Sequence, residues 1–162
     1  MTVNNLPRQS TPFVGRETEI AGLLALIEQH DVRLVTILGP GGIGKTRLAI
    51  ETAQKLSQHF GHDVYFVQLQ SVESQSFIVS AIADVLGLVL SGSTNPQAQL
   101  VAAFADLDVT LILDNFEQLL ADKSNELLGD LLTAGSSTKF VVTSRQRLNL
   151  QEEWLFPLKG MS

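Results

Sequence analysis

Short, nearly continuous apolar runs alternate along this chain with longer stretches in which apolar residues return every three or four positions. In the first such stretch, 17–29, Ile20, Leu23, Leu24 and Ile27 fall at helical spacing, Glu17 and Glu19 occupy the first turn and His30 follows the end. That charge order suits the helix dipole, and the pattern predicts a helix. RLVTIL (33–38) is an apolar run of strand length, and beyond a glycine-rich turn Ala49, Ala53, Leu56 and Phe60 resume the helical period. DVYFVQL (63–69) predicts a second strand, and Ile78, Ala81, Ile82, Val85 and Leu86 a helix that Gly87 ends. SGSTNP (91–96) is a loop whose Pro96 can open the next helix at its first position, with Leu100, Val101, Phe104 and Leu107 on the apolar face. VTLILDN (109–115) predicts a third strand, and Leu119, Leu120, Leu127, Leu128, Leu131 and Leu132 one broken or two short helices. KFVVTS (139–144) makes a fourth strand, and EEWLFPL (152–158) a fifth that Pro157 confines to its end or to a sheet edge. Residues 1–12, with Pro7 and Pro12 and no periodicity, form an extended lead-in to a single domain over 13–162.

Strands alternating with helices, and strands apolar along their whole length, predict an α/β fold with a parallel sheet covered on both faces. Such sheets bind ligands at the carboxyl ends of their strands. The chain's 162 residues, 44% hydrophobic and 17% charged, suffice for one folded core. No stretch approaches eighteen apolar residues and 1–10 is polar, so the sequence carries neither a membrane span nor a signal peptide, and a cytoplasmic location is expected. The absence of cysteine excludes disulfides and thiolate metal sites, and His30, His59 and His62 are scattered. Net charge is −6, and no Lys or Arg lies between Lys55 and Lys123 while eight carboxylates do. That half should repel a phosphate backbone, so no direct nucleic-acid contact is expected.

Every segment with candidate chemistry follows a predicted strand. GPGGIGKT (39–46) fits G-x-x-x-x-G-K-[ST] through Gly39, Gly44, Lys45 and Thr46, between a strand and a helix. Glycines let backbone N–H groups curl around phosphates, and the helix start adds its positive dipole end. Lys45 then brings a point charge to the phosphate oxygens, and Thr46 can offer its hydroxyl to magnesium. Asp114 ends the third strand, where a carboxylate can hold magnesium through water, and Glu117 is the next carboxylate able to orient an attacking water. Arg145 follows the fourth strand, where a guanidinium can reach a terminal phosphate, whereas Arg147 reads as surface charge.

Taken together, TPFVGRE (11–17), GPGGIGKT (39–46), LILDNFE (111–117) and FVVTSR (140–145) resemble the nucleotide-binding domain of STAND ATPases. These signal-transduction ATPases include the NB-ARC proteins and many large bacterial transcriptional regulators, the branch most similar through FVGRE and LDNFE. The resemblance runs from about Leu6 to Leu158. It implies a P-loop NTPase three-layer sandwich with a five-stranded parallel sheet in order 2-3-4-1-5, ATP or ADP as ligand, and Mg2+. Val14 and Arg16 would lie against the adenine. Gly39, Gly41, Gly42, Ile43, Gly44, Lys45, Thr46 and Arg47 would hold the phosphates, and Thr46 and Asp114 the metal. Lys45, Asp114, Glu117 and Arg145 would be the catalytic set, Arg145 sensing the γ-phosphate.

Two departures modify this expectation. Asn115 stands where many of the resembled proteins carry a second acidic residue, and an amide cannot act as a general base, so slow hydrolysis is expected. The chain also stops at Ser162, before the segments such proteins usually carry, which suggests a fragment of a longer regulator that oligomerises with nucleotide. The alternative is an interaction module that binds nucleotide without turnover. A P-loop kinase would need a lid and an acceptor site that the sequence does not offer.

Overall fold

The computed structural model describes residues 5–7, 15–41, 44–69, 75–92, 95–122 and 124–159. In chain order the elements are α1 (Glu17–Glu28), β1 (Leu34–Leu38), α2 (Lys45–Phe60), β2 (Val64–Gln68), α3 (Gln75–Leu86), α4 (Pro96–Phe104), β3 (Thr110–Asp114), a 3-10 turn (Glu117–Asp122), α5 (Ser124–Ala134), β4 (Lys139–Ser144) and β5 (Glu153–Pro157). The leucines after β3 form two pieces, a 3-10 turn and then a helix. Pro96 is the first residue of α4, and the side chain of Asn95 caps that helix by accepting from the backbone N–H groups of Gln97 and Ala98.

All five strands are parallel, in the order β2-β3-β4-β1-β5, which is the order the resemblance implied. β4 lies between β1 and β3, so the segments after these three strands become neighbours although they are about a hundred residues apart in sequence at the extremes. β5 is an edge strand and Pro157 its last residue, where the missing N–H costs the ladder little.

Alternate residues of each strand enter opposite apolar layers, because successive side chains of a strand point to opposite faces. Leu111, Leu113, Phe140 and Val142 pack with α3, α4 and α5, whereas Ile112, Val141, Val35 and Ile37 pack with α1 and α2. The domain is therefore a three-layer sandwich.

Neither α1 nor α5 has a basic residue in its last turn, and α1 stops before His30. Cations from the sheet supply the missing charge: Lys139 donates to the carbonyls of Ile27 and Gln29, and Arg33 to those of Leu132, Gly135 and Thr138. These groups sit at the carbonyl ends of the helices, where positive charge is favoured.

Candidate functional site

The turn between β1 and α2 begins with Gly39, whose N–H donates to the carbonyl of Ser144 at 3.2 Å and so ties the turn to the end of β4. It ends at Gly44, the N-cap of α2, whose φ of 92° lies in the left-handed region that only glycine enters without strain. Gly42 and Ile43 lie outside the described residues, as does Val14.

Lys45 folds back along the turn, and its ammonium donates to the carbonyls of Gly39 at 2.8 Å and Pro40 at 2.9 Å. Burial pushes its pKa below the ordinary lysine value, and Arg145 acts in the same direction. Glu117 and Asp114 oppose that shift.

Asp114, at the carboxyl end of β3, is 1% exposed. Its Oδ1 accepts the hydroxyls of Thr46 and Thr143, each at 2.7 Å. Its Oδ2 accepts amide N–H groups from Gln68 at 3.2 Å and Asn115 at 3.1 Å. Asn115 takes a left-handed φ of 64° and donates its backbone N–H to Thr143 Oγ1 at 2.9 Å. Thr143 thus holds both Asp114 and Asn115, and neither it nor Gln68 was marked by sequence pattern. The clue lay in the strand ends: Gln68 is in register with Asp114, and Thr143 follows the partner of Leu113.

Arg145 leaves the end of β4 with its guanidinium over the turn. A Cβ on Gly41 would come within 2.6 Å of Arg145 Nη2. Its Nε is 3.6 Å from Glu117 Oε1, while Glu117 Oε2 is buried and has no hydrogen-bond partner among the described residues. The loop behind Arg145 is pinned by Glu153, whose carboxylate accepts the hydroxyl of Thr36 and the backbone N–H groups of Leu148 and Asn149.

These groups line one cleft of about 650 Å3, shared by Gly41, Gly44, Lys45, Thr46, Arg47, Gln68, Asn115, Glu117 and Arg145. Its far wall is apolar, formed by Ile50, Phe66 and Pro7. Asn5 anchors residues 5–7 there: its side chain donates to the carbonyl of Phe66 at 3.0 Å and accepts the Phe66 N–H at 2.5 Å, at the outer edge of β2. Arg47, part of the lining, pairs with Glu51 at 2.9 Å. Arg16 is outside this lining, buried at the start of α1 and paired with Glu19 at 3.1 Å.

The donor set suits a hard cation. A hydroxyl and a carboxylate oxygen converge at Thr46 and Asp114, and such oxygens are what magnesium prefers. Among the described residues no cluster of three or more His, Cys, Asp or Glu is placed to hold a metal ion. Among the described residues no helix is long and apolar enough to cross a membrane.

Comparison with known proteins follows the same lines. An uncharacterized Mycobacterium tuberculosis protein is 30% identical over 152 residues, covering 93% of this chain and 38% of that protein. A second M. tuberculosis protein, assigned by name to the HTH-type transcriptional regulators, is 31% identical over 138 residues, covering 85% of this chain and 15% of its own length. The chain therefore spans well under half of these curated relatives. Among solved structures, the STAND protein with a tetratricopeptide repeat sensor from Pyrococcus horikoshii shares the fold, with a TM-score of 0.59 and 24% identity over 97% of this chain and 24% of that one. The family model described as AAA ATPase domain matches residues 12–143, and the chain belongs to that family.

Proposed function

We propose that this domain binds ATP and ADP with magnesium, hydrolyses ATP slowly, and serves as a nucleotide-controlled switch within a larger signalling or transcriptional regulator. The observation that carries the reading is the Thr46 hydroxyl 2.7 Å from the Asp114 carboxylate, beside the glycine turn of Lys45. An incoming β- or γ-phosphate would take over the Lys45 ammonium from the carbonyls of Gly39 and Pro40, exchanging two neutral acceptors for a charged one. The backbone N–H groups of 39–47 and the start of α2 would surround the phosphates. Thr46 can keep its hydrogen bond to Asp114 while its oxygen lone pairs turn toward magnesium. When bound, the ion would neutralise phosphate charge.

Arg145 lies over the turn where a terminal phosphate would arrive, which supports a sensing role. The same phosphate would draw the guanidinium from Glu117 and leave that carboxylate able to orient water. On this reading Lys45, Asp114, Glu117 and Arg145 are the catalytic residues, and Val14 and Arg16 flank the adenine. Hydrolysis should be slow, because residue 115 is an amide that cannot take a proton. The amide, with Glu117 drawn toward Arg145, also favours a second reading, a module that binds nucleotide without turnover.

The relatives' greater length and the helix-turn-helix naming of one support a larger protein in the cytoplasm. Its DNA reader would lie elsewhere, and its assembly would follow the bound nucleotide. Phosphate release from radiolabelled ATP, with protein in excess, separates the two readings. A rate below about one turnover per minute, against an enzyme median of roughly ten per second, is expected. Asp114→Asn should abolish it, and release at the wild-type rate in that variant would place the metal elsewhere.

A further inference from the structure

The carboxylate of Asp114 is saturated. An ionised carboxylate offers about four lone-pair sites, and here two hydroxyls occupy Oδ1 and two amides occupy Oδ2. The two sides differ in strength. The hydroxyl contacts are short, at 2.7 Å, and Thr143 is fully buried. The amide contacts are longer, at 3.1 and 3.2 Å, and both amides line the cleft. A water carried by a metal at Thr46 can donate to Oδ2 only after one amide withdraws.

The amides are not equally able to withdraw. Asn115 is held by its own backbone, in a left-handed conformation with its N–H on Thr143. Gln68 ends β2, is exposed, makes the longer contact to Asp114, and has its Oε1 3.3 Å from the Asn115 amide. Both contacts are near the outer limit for hydrogen bonds, and a long side chain at a strand end can leave without moving the backbone.

We propose that Gln68 is a positioning residue for the metal: its amide occupies Oδ2 of Asp114 in the resting site and yields it to a metal-borne water when nucleotide and magnesium arrive. The inference rests on the reading that Thr46 and Asp114 hold magnesium. Gln68 acts as a latch, keeping Asp114 aimed while opposing metal entry, so its removal strengthens the coupling between magnesium and nucleotide. A residue that merely propped Asp114 would have the opposite effect.

The test compares ATP affinity in EDTA with ATP affinity in magnesium, by titration calorimetry on the whole 162-residue chain. Gln68→Met keeps an unbranched side chain and removes both polar atoms. It should raise the ratio of the two dissociation constants about three- to tenfold, the range one modest hydrogen bond is worth. Gln68→Glu places a second carboxylate at Asp114 and should raise the ratio further, and it stands as the second variant if Gln68→Met fails to fold. Wild type and Asp114→Asn separate the two levels of the argument. If wild type shows no magnesium effect, the metal reading falls and the latch with it. If wild type shows the effect, Asp114→Asn loses it, and both Gln68 variants match or fall below the wild-type ratio, the latch alone is wrong.

Discussion

Replacing Thr143 by valine removes one oxygen and keeps the branched shape, at a position buried between β3 and β1 where nothing can rearrange to fill the loss. That oxygen donates to Asp114 at 2.7 Å and accepts the Asn115 N–H at 2.9 Å. A hydrogen bond to a charged group contributes about 1.5–3 kcal/mol, and a buried donor left without a partner costs about 1–3 kcal/mol. Asp114 retains Thr46, Gln68 and Asn115, so its share of the loss lies at the lower end. A total of about 3 kcal/mol follows, a large fraction of the roughly 5–15 kcal/mol that stabilises a domain. At about 2–4 °C per kcal/mol for a chain of this size, the melting temperature should fall by roughly 6–12 °C. Scanning calorimetry and urea denaturation would read both quantities on the same samples. Stability within about 0.5 kcal/mol of wild type, the spread of an ordinary surface change, would refute the assignment of Thr143 as the post that holds the Asp114 end of β3.

Gly135→Ala should cost about 2 kcal/mol or more in urea denaturation, because its Cβ would lie 2.5 Å from the backbone oxygen of Phe104, which cannot swing aside. Wild-type stability would mean that the α4 and α5 ends are not packed as described. No sequence-specific DNA binding is expected, given the acidic 56–122 stretch, and a salt-dependent gel shift at submicromolar protein would contradict it. ADP should bind in the micromolar range or weaker and be lost on desalting, as expected where water screens the phosphate contacts at Lys45. Near-stoichiometric ADP in the denatured, desalted protein would show a closed pocket instead.

The central strands β1, β3 and β4 were legible because each is buried on both faces and therefore largely apolar along its length. VTLILDN could hardly be anything but an interior strand, and Pro157 announced an edge or an end. The glycine turn was legible because Gly44 needs a backbone that other residues resist. Sheet order came from the resemblance rather than from periodicity, which says which residues are buried but not which strands are neighbours. What the sequence hid depends on that order. Thr143 reads as one more β-branched residue until β3 and β4 are paired, and Gln68 as a polar strand end until β2 is set beside Asp114. Asn5 was hidden for another reason: a side-chain amide covering the backbone of Phe66 leaves no periodic trace in a Pro-rich lead-in. No sequence pattern marks Glu153, whose carboxylate holds the loop that follows Arg145.

The central claim is that adenine nucleotide binds at the turn of Lys45. Titration of ATP into the wild-type chain and into Lys45→Ala, in magnesium, tests it most directly. The variant loses a charge-assisted contact to phosphate and no part of the apolar core, since among the described residues the Lys45 ammonium donates to the backbone carbonyls of Gly39 and Pro40. Saturable wild-type binding weakened at least about tenfold in the variant, a loss of roughly 1.4 kcal/mol or more, is the expected result. Equal affinity in two folded proteins, or no binding by either at millimolar ATP, would contradict the account.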